Sequence, residues 1–202
     1  MGIIPGVGGT SAARPGGRFG LVAIVLAGSV ALSRVLGAGR EMVLTRVLGA
    51  GAEADAYRAA FLLPDLLNYF LAGGALSIAF IPFYTRLWNR EGDAAADRFL
   101  AVVFGTTGAL AVLATIALWI GAEPLVAFQF PRFSPEQLAL TAHLTRILLP
   151  AQIFFVTGGV LRGALMARGH FVSQSLAPVI YNLAIIAGGL ALGTRIGAEG
   201  FA

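Results

Sequence analysis

Five long apolar segments constrain the fold of this chain more than any other feature. They run over about residues 19–48, 54–88, 94–128, 135–167 and 173–192. Each segment is long enough to cross a hydrocarbon layer of ~30 Å as a helix, because a span needs about 20 residues. Only 12% of the residues are charged, whereas a soluble domain has about a quarter. The sequence therefore predicts an all-α protein, folded as a polytopic bundle of transmembrane helices.

The two ends of the chain differ from this pattern. Residues 1–18 are rich in glycine and proline, so we expect a disordered tail before the transmembrane bundle at 19–202. The last residues read as the start of a sixth apolar segment. Because five spans and part of a sixth leave the bundle without a closing element, we expect the N-terminal lobe of a longer chain. A C-terminal lobe of that chain would then be its partner.

Arginines in the connecting segments indicate the orientation of the bundle. All fourteen cations of the chain are arginines. If the N-terminus is cytoplasmic, the tail and inner loops carry six of them and the outer loops carry two, which agrees with the positive-inside rule. They are scattered rather than clustered, so no nucleic-acid partner is expected. The inner six are Arg14, Arg18, Arg86, Arg90, Arg98 and Arg168, and the outer two are Arg132 and Arg195.

A repeated phrase in the first segment places three arginines in an apolar stretch. Ser/Thr-Arg-Val-Leu-Gly-Ala-Gly occurs at residues 33–39 and 45–51, so Arg34, Arg40 and Arg46 lie six residues apart. On one straight helix they would point in directions 120° apart. We therefore expect a break at Gly37–Gly39 that brings Arg34 and Arg40 together as an anion site, with part of their charge neutralised by Glu41. The alternative is a helix end with snorkelling arginines, which we favour for Arg46.

A polar stripe marks the second segment. Asp55, Arg58, Asp65 and Tyr69 fall within about 80° of one another on a helical wheel, and such a stripe normally faces a bundle interior or a wet cavity. The alternative is that Asp55 caps the helix, with Arg58 as its i+3 partner, which leaves Asp65 unexplained. The chain has no cysteine, and no Walker loop or Ser-His-Asp set appears.

Four motifs follow one another in the first half of the chain. They are S-R-V-L-G-x-x-R-[DE], G-A-G-x-x-x-D-A, L-P-x-L-L and A-x-G-A-x-S-x-A-F-x-P, at residues 33–41, 49–56, 63–67 and 72–82. In this order and spacing they resemble the start of the MurJ (MviN-like) lipid II flippase family. Stretches at 144–150 and 176–186 look like the fourth and fifth spans of that family. The resemblance covers about residues 33–190.

The resemblance implies an inner-membrane transporter and not an enzyme. It implies a MATE-like fold of fourteen helices in two lobes, from the multidrug/oligosaccharidyl-lipid/polysaccharide exporter superfamily. It also implies that lipid II, an undecaprenyl-pyrophosphate-linked peptidoglycan precursor, moves from the inner to the outer leaflet by alternating access. No cofactor or metal is expected, and coupling to the membrane potential or to a monovalent ion is left open.

Family arginines in the first span engage the pyrophosphate, and the matching positions here are Arg34 and Arg40. Glu41 stands where the family often has Asp, and Asp55 matches a family acid. Together with the polar residues around them, these positions form the predicted substrate-binding set. The set is Ser33, Arg34, Arg40, Glu41, Asp55, Arg58, Asp65 and Asn68.

Three positions depart from the family pattern and keep other substrates open. Asn68 replaces a cavity arginine, Asp65 replaces an asparagine and Gly73 replaces a glutamate. The alternatives are a flippase for another polyprenyl-linked glycan and a cation-coupled multidrug antiporter of the same superfamily. An antiporter for cationic drugs should concentrate acids in its cavity, whereas the first segment here carries an excess of arginine.

Overall fold

The computed structural model describes residues 16–49, 51–72, 74–170 and 172–202, and within them the chain is helical with no strand. This confirms the all-α prediction. Residues 1–15 of the predicted disordered tail and Gly73 lie outside the described part, and residues 16–18 belong to the first helix. The helices are α1 (Gly16–Leu48), α2 (Ala52–Ala60), α3 (Leu62–Ala72), α4 (Gly74–Glu91), α5 (Asp93–Ile120), α6 (Ala122–Gln129), α7 (Pro135–Ala167), α8 (Val172–Ala191) and α9 (Gly193–Ile196), followed by a 3₁₀ turn at Gly197–Phe201.

The first helix is continuous, so the predicted break at Gly37–Gly39 is wrong. α1 runs through both glycines from Gly16 to Leu48. An apolar surrounding provides no water for freed backbone groups, and an unbroken helix satisfies all of them internally. Gly37 instead lies against α8, where an added Cβ would come 4.0 Å from Oδ1 of Asn182. The arginines of α1 therefore do point in directions 120° apart.

Alanine should replace both glycines without harm. An added Cβ at Gly39 would meet nothing within 4 Å, and the one at Gly37 would make an ordinary contact. Because alanine is favoured over glycine in a helix interior by about 0.5–1 kcal/mol, the Gly37→Ala/Gly39→Ala protein should melt no lower than the wild type and should remain functional. Loss of function at normal membrane levels would show that α1 must open at these glycines.

Pro64 divides the second apolar segment into separate helices. A side chain from another helix then satisfies the carbonyl that loses its hydrogen bond. Proline lacks an N–H group, so the carbonyl four residues earlier, that of Ala60, loses its helical partner. The hydroxyl of Thr145 in α7 donates to this carbonyl at 3.2 Å, inside the core. The chain turns at Phe61 and continues as α3. Both helices pack on α7.

The fourth segment forms the central helix of the bundle. α7 has 33 residues, which gives a length of about 50 Å. It begins with a capping box, in which the Ser134 hydroxyl accepts from Gln137 N–H and the Gln137 side chain accepts from Ser134 N–H. Helices α2 to α6 all pack against α7, whereas α1 packs mainly against α8.

Polar contacts mark two opposite ends of the bundle. At one end, the Gln137 side chain reaches the Ala52 carbonyl at 3.5 Å, so the starts of α2 and α7 lie together. At the other end, Arg168 joins the end of α7 to the junction of α4 and α5. It donates to the Tyr84 hydroxyl at 2.8 Å and to Asp97 at 2.7 Å. The run α2–α4 and α7 therefore point the same way, with α5 starting at the opposite end, as alternating membrane crossings require.

The outer surface of the bundle is apolar. Two helices in the described part, α5 and α7, are long and apolar enough to cross a membrane, and α8 contains a shorter apolar stretch. Only 11% of the most apolar window of α5 is buried inside the protein. Leu113, Ile116 and Ile120 are 65%, 51% and 69% exposed. A soluble core helix would bury such residues, so this surface suits contact with lipid.

Candidate functional site

Arg40 lies on α1, which packs against α8 and also contacts α2. Its charge interacts with Asp65 of α3 and with the tyrosines Tyr57 and Tyr181 of α2 and α8. Within the described residues it forms no ion pair within 4.0 Å, and its Nε is buried without a hydrogen-bond partner. A guanidinium with an unsatisfied donor in an apolar bundle is a costly arrangement. The arrangement suits an anion that would supply the missing acceptor.

Glu41 does not neutralise Arg40, contrary to prediction, because it binds another cation. Arg58 of α2 donates to Oε1 of Glu41 through both Nε and Nη2, with the Nε contact at 3.0 Å. Its Nη1 lies 3.6 Å from Oδ1 of Asp55. One guanidinium thus connects a carboxylate on α1 with a carboxylate on α2. Glu41, the acid next to Arg40 in sequence, is therefore held by Arg58, and Arg40 keeps its charge without an ion pair among the described residues.

Arg34 lies on a different side of α1 from Arg40. It shares the direction of Glu41 within about 20°, two turns away, and it is exposed. Beyond it, Ala38, Glu41, Met42, Thr45 and Arg46 line an open groove of about 560 Å³. Arg34 lies one turn before this groove, on the same side of α1 as Glu41. The structure does not bring Arg34 and Arg40 together on one face.

The polar stripe of the second segment lines a separate groove, called here the aromatic groove. Asp55, Arg58 and Asp65 form one wall, and Phe130 and Phe133 of the loop before α7 form the other. The two rings stack with their centroids 4.8 Å apart. Tyr69, predicted as part of the stripe, does not line this groove and is 74% exposed. Tyr69 lies one turn beyond Asp65 along α3.

The remaining predicted residues lie beside these features. Ser33 shares the direction of Arg40 within about 20° on α1 and is half-buried. Asn68 lies on α3, one turn after Asp65. Sequence reasoning missed Tyr57, Tyr181 and the two groove phenylalanines. Tyr181 could have been found, because a tyrosine inside an otherwise apolar helix is an unusual feature. Nothing in the sequence indicated that the two loop phenylalanines would form a wall of the groove beside α2.

Fold and site together define a class of protein. A bundle of helices with a lipid-facing apolar surface holds an uncompensated arginine among tyrosines and carboxylates, with open grooves beside it. Intramembrane charges of this kind mark substrate pathways. These features are those of a multi-pass membrane protein. The family model described as "Lipid II flippase MurJ" matches residues 44–202, and the chain belongs to this family.

Individual relatives agree with this assignment. The chain is 30% identical to a probable lipid II flippase MurJ of Rhizobium tropici over 166 residues, which cover 81% of this chain and 31% of the relative. It is 34% identical to the corresponding protein of Haemophilus influenzae over 179 residues, covering 82% and 34%. It is 30% identical to the lipid II flippase MurJ of Burkholderia cenocepacia over 166 residues, covering 81% and 32%. The chain therefore spans about a third of the length of these relatives. Arg34 and Arg40 precede the region that the family model matches.

Proposed function

We propose that the complete protein moves a polyprenyl-pyrophosphate-linked glycan, lipid II, from the inner to the outer leaflet of the bacterial plasma membrane. The observation that carries this proposal is Arg40, a guanidinium with an unsatisfied buried Nε and no ion pair among the described residues. A pyrophosphate offers charged acceptor oxygens, and guanidinium–phosphate hydrogen bonds are short and strong. The names of the relatives supply the substrate.

The predicted residues take different roles in this proposal. Arg40 binds the pyrophosphate, with Ser33 beside it on the same side of α1. Arg34 meets the anion along the neighbouring polar face as it enters or leaves. Arg58 holds Glu41 and Asp55, so that these carboxylates do not compete for Arg40. Asp65 and Asn68 contact the head group from α3. Movement by alternating access requires two lobes that rock about a shared site.

The function is tested by complementation. The complete open reading frame that contains this chain should restore growth to cells depleted of their own lipid II flippase. The 202 residues expressed alone should insert into the membrane and fail to restore growth, because one lobe cannot alternate access. Failure of the complete protein, at normal membrane levels, would contradict the proposed substrate. Rescue by the 202 residues alone would contradict the two-lobed mechanism.

The proposal includes a cytoplasmic N-terminus. The junction of α4 and α5 and the end of α7 lie at one end of the bundle, and the loops there carry most of the arginines of the connecting segments. Cytoplasmic placement of that end follows from the positive-inside rule.

Single cysteines should reveal this orientation, because the chain has none of its own. Probes that cannot cross the membrane should label Glu91→Cys and His170→Cys only in opened cells or inverted vesicles. They should label Ala52→Cys and Gln129→Cys in intact cells. All four positions are exposed. Labelling of Glu91→Cys in intact cells would reverse the proposed orientation.

The antiporter alternative has one observation in its favour. Glu41 and Asp55 bind the guanidinium of Arg58, and Asp65 lines the same groove without an ion pair among the described residues, so a cation would be attracted there. Arg40 argues against a purely cationic substrate, because a cation cannot satisfy its buried donor. Coupling to a monovalent ion or to the membrane potential is a separate proposal that complementation does not decide.

A further inference from the structure

The aromatic groove has the size and walls of a ligand site. Its volume is about 480 Å³, within the range of small-molecule sites. Phe130 packs against the core cluster of Leu63, Ala122, Val126 and Ala142. The rings of Phe130 and Phe133 stack at an angle of 19°. The aromatic wall is therefore anchored to the core and faces α2 and α3 in a fixed position.

The opposite wall of the groove has an excess of negative charge. Arg58 is the one basic residue among those that line the groove, and Glu41 and Asp55 already surround it. Asp65 forms no ion pair within 4.0 Å among the described residues. The groove lining therefore holds two carboxylates, those of Asp55 and Asp65, and one guanidinium, which leaves one negative charge in excess. Such a wall attracts a cation and repels a second phosphate.

An organic ammonium group fits this combination better than a metal ion does. The faces of aromatic rings are negative and attract cations, most effectively where an ammonium group can also reach carboxylates. In the described part of the chain, no three His, Cys, Asp or Glu side chains are placed to hold a metal ion. A primary ammonium group can donate hydrogen bonds to Asp65 while it lies against an aromatic ring of the opposite wall.

The cation site adjoins the anion site through one residue. Asp65 lines the aromatic groove and also interacts electrostatically with Arg40. A ligand that reaches both sites must carry a phosphate at one place and an amine at another. We propose that the aromatic groove binds a primary ammonium group on the head group of the lipid-linked substrate, while Arg40 binds its pyrophosphate. This inference rests on the proposed function, and it narrows the substrate to glycans that carry a free amine.

The test is a comparison of two substrate forms. The purified complete protein is titrated with lipid II that has a free amino group on its peptide and with the same preparation after N-acetylation. The wild type should bind the free amine about tenfold more tightly. In Asp65→Asn and in Phe133→Leu, the ratio of the affinities for the free and the acetylated form should fall close to one. The first substitution removes the charge, and the second removes the ring.

Matched controls separate the groove from general damage. Glu91→Gln removes a carboxylate that forms no ion pair among the described residues, and Phe128→Leu removes an 83% exposed ring outside the groove. Both should keep the tenfold ratio, and all variants should melt at the wild-type temperature. Arg40→Lys should weaken binding of both forms equally.

Three results would overturn the inference in distinguishable ways. Equal affinity of the wild type for both forms would exclude an ammonium group, and a neutral sugar would then be the better occupant. A tenfold ratio that survives in Asp65→Asn and Phe133→Leu would place the amine outside this groove. Absence of binding by either form would contradict the proposed function itself, and the ammonium site would be withdrawn with it.

Discussion

Replacement of Arg40 by lysine abolishes complementation of flippase-depleted cells, while the variant reaches normal membrane levels. A pyrophosphate accepts forked hydrogen bonds from a guanidinium, and the point charge of lysine cannot reproduce the fork. The buried Nε of Arg40, which has no partner in the described residues, disappears in the lysine variant. Growth measures the function, and immunoblotting of membranes measures the amount of protein.

Two other arginines of the same helix serve as comparisons. Arg46→Lys should complement as well as the wild type, because a cation near a helix end needs only its charge. Arg34→Lys should reduce growth by less than Arg40→Lys does, since Arg34 is exposed and a flexible ammonium group can also attract an anion there. Full complementation by Arg40→Lys would exclude guanidinium-specific recognition and would make Arg40 a structural residue.

Replacement of Arg168 by leucine costs the bundle about 2–3 kcal/mol and lowers its melting temperature by about 5 °C. Arg168 is the single hydrogen-bond partner seen for the fully buried Tyr84 hydroxyl in the described structure. Its guanidinium also binds Asp97 and lies over the rings of Tyr84 and Trp88. The exposed carboxylates contribute little, so most of the loss comes from the orphaned hydroxyl and the ring contacts. Thermal unfolding of the detergent-solubilised protein measures the shift.

A matched substitution and a second background check this explanation. Arg98→Leu should shift the melting temperature by far less, because among the described residues Arg98 donates to the carbonyl of Ala94 in its own helix and forms no ion pair. In a Tyr84→Phe background no buried hydroxyl remains, so the further cost of Arg168→Leu should fall to about half. Equal shifts for Arg98→Leu and Arg168→Leu would contradict a structural role for this contact.

The fold was largely predictable because length and hydropathy decide helices in an apolar chain. The unbroken runs around α5 and α7 allow no other element of that size. Pro64 indicates a bend in the second segment, because proline lacks the backbone N–H group that a continuous helix needs. The Thr145 hydroxyl that satisfies the freed carbonyl lies 81 positions after Pro64 in the chain. No local pattern indicates that contact.

The sequence pointed to polar candidates for the site, but not to their pairing or to the aromatic residues beside them. An arginine in an apolar segment requires a partner, and this physical demand singled out Arg34, Arg40 and Glu41. Which acid meets which base depends on how α2 is placed against α1, and Glu41 meets Arg58. The prediction of a break at Gly37–Gly39 was wrong because Gly-x-Gly often ends a helix in water, whereas an apolar surrounding penalises any break in the backbone hydrogen bonds.

The affinity of the purified complete protein for lipid II, in the wild type and in Arg40→Lys, tests the anion-binding role of Arg40 most directly. Arg46→Lys on the same helix is the control. Loss of forked, charge-assisted hydrogen bonds should weaken binding on the order of tenfold or more in Arg40→Lys and leave Arg46→Lys unchanged. Equal affinity of all three proteins for lipid II would contradict the assignment of Arg40 to the pyrophosphate.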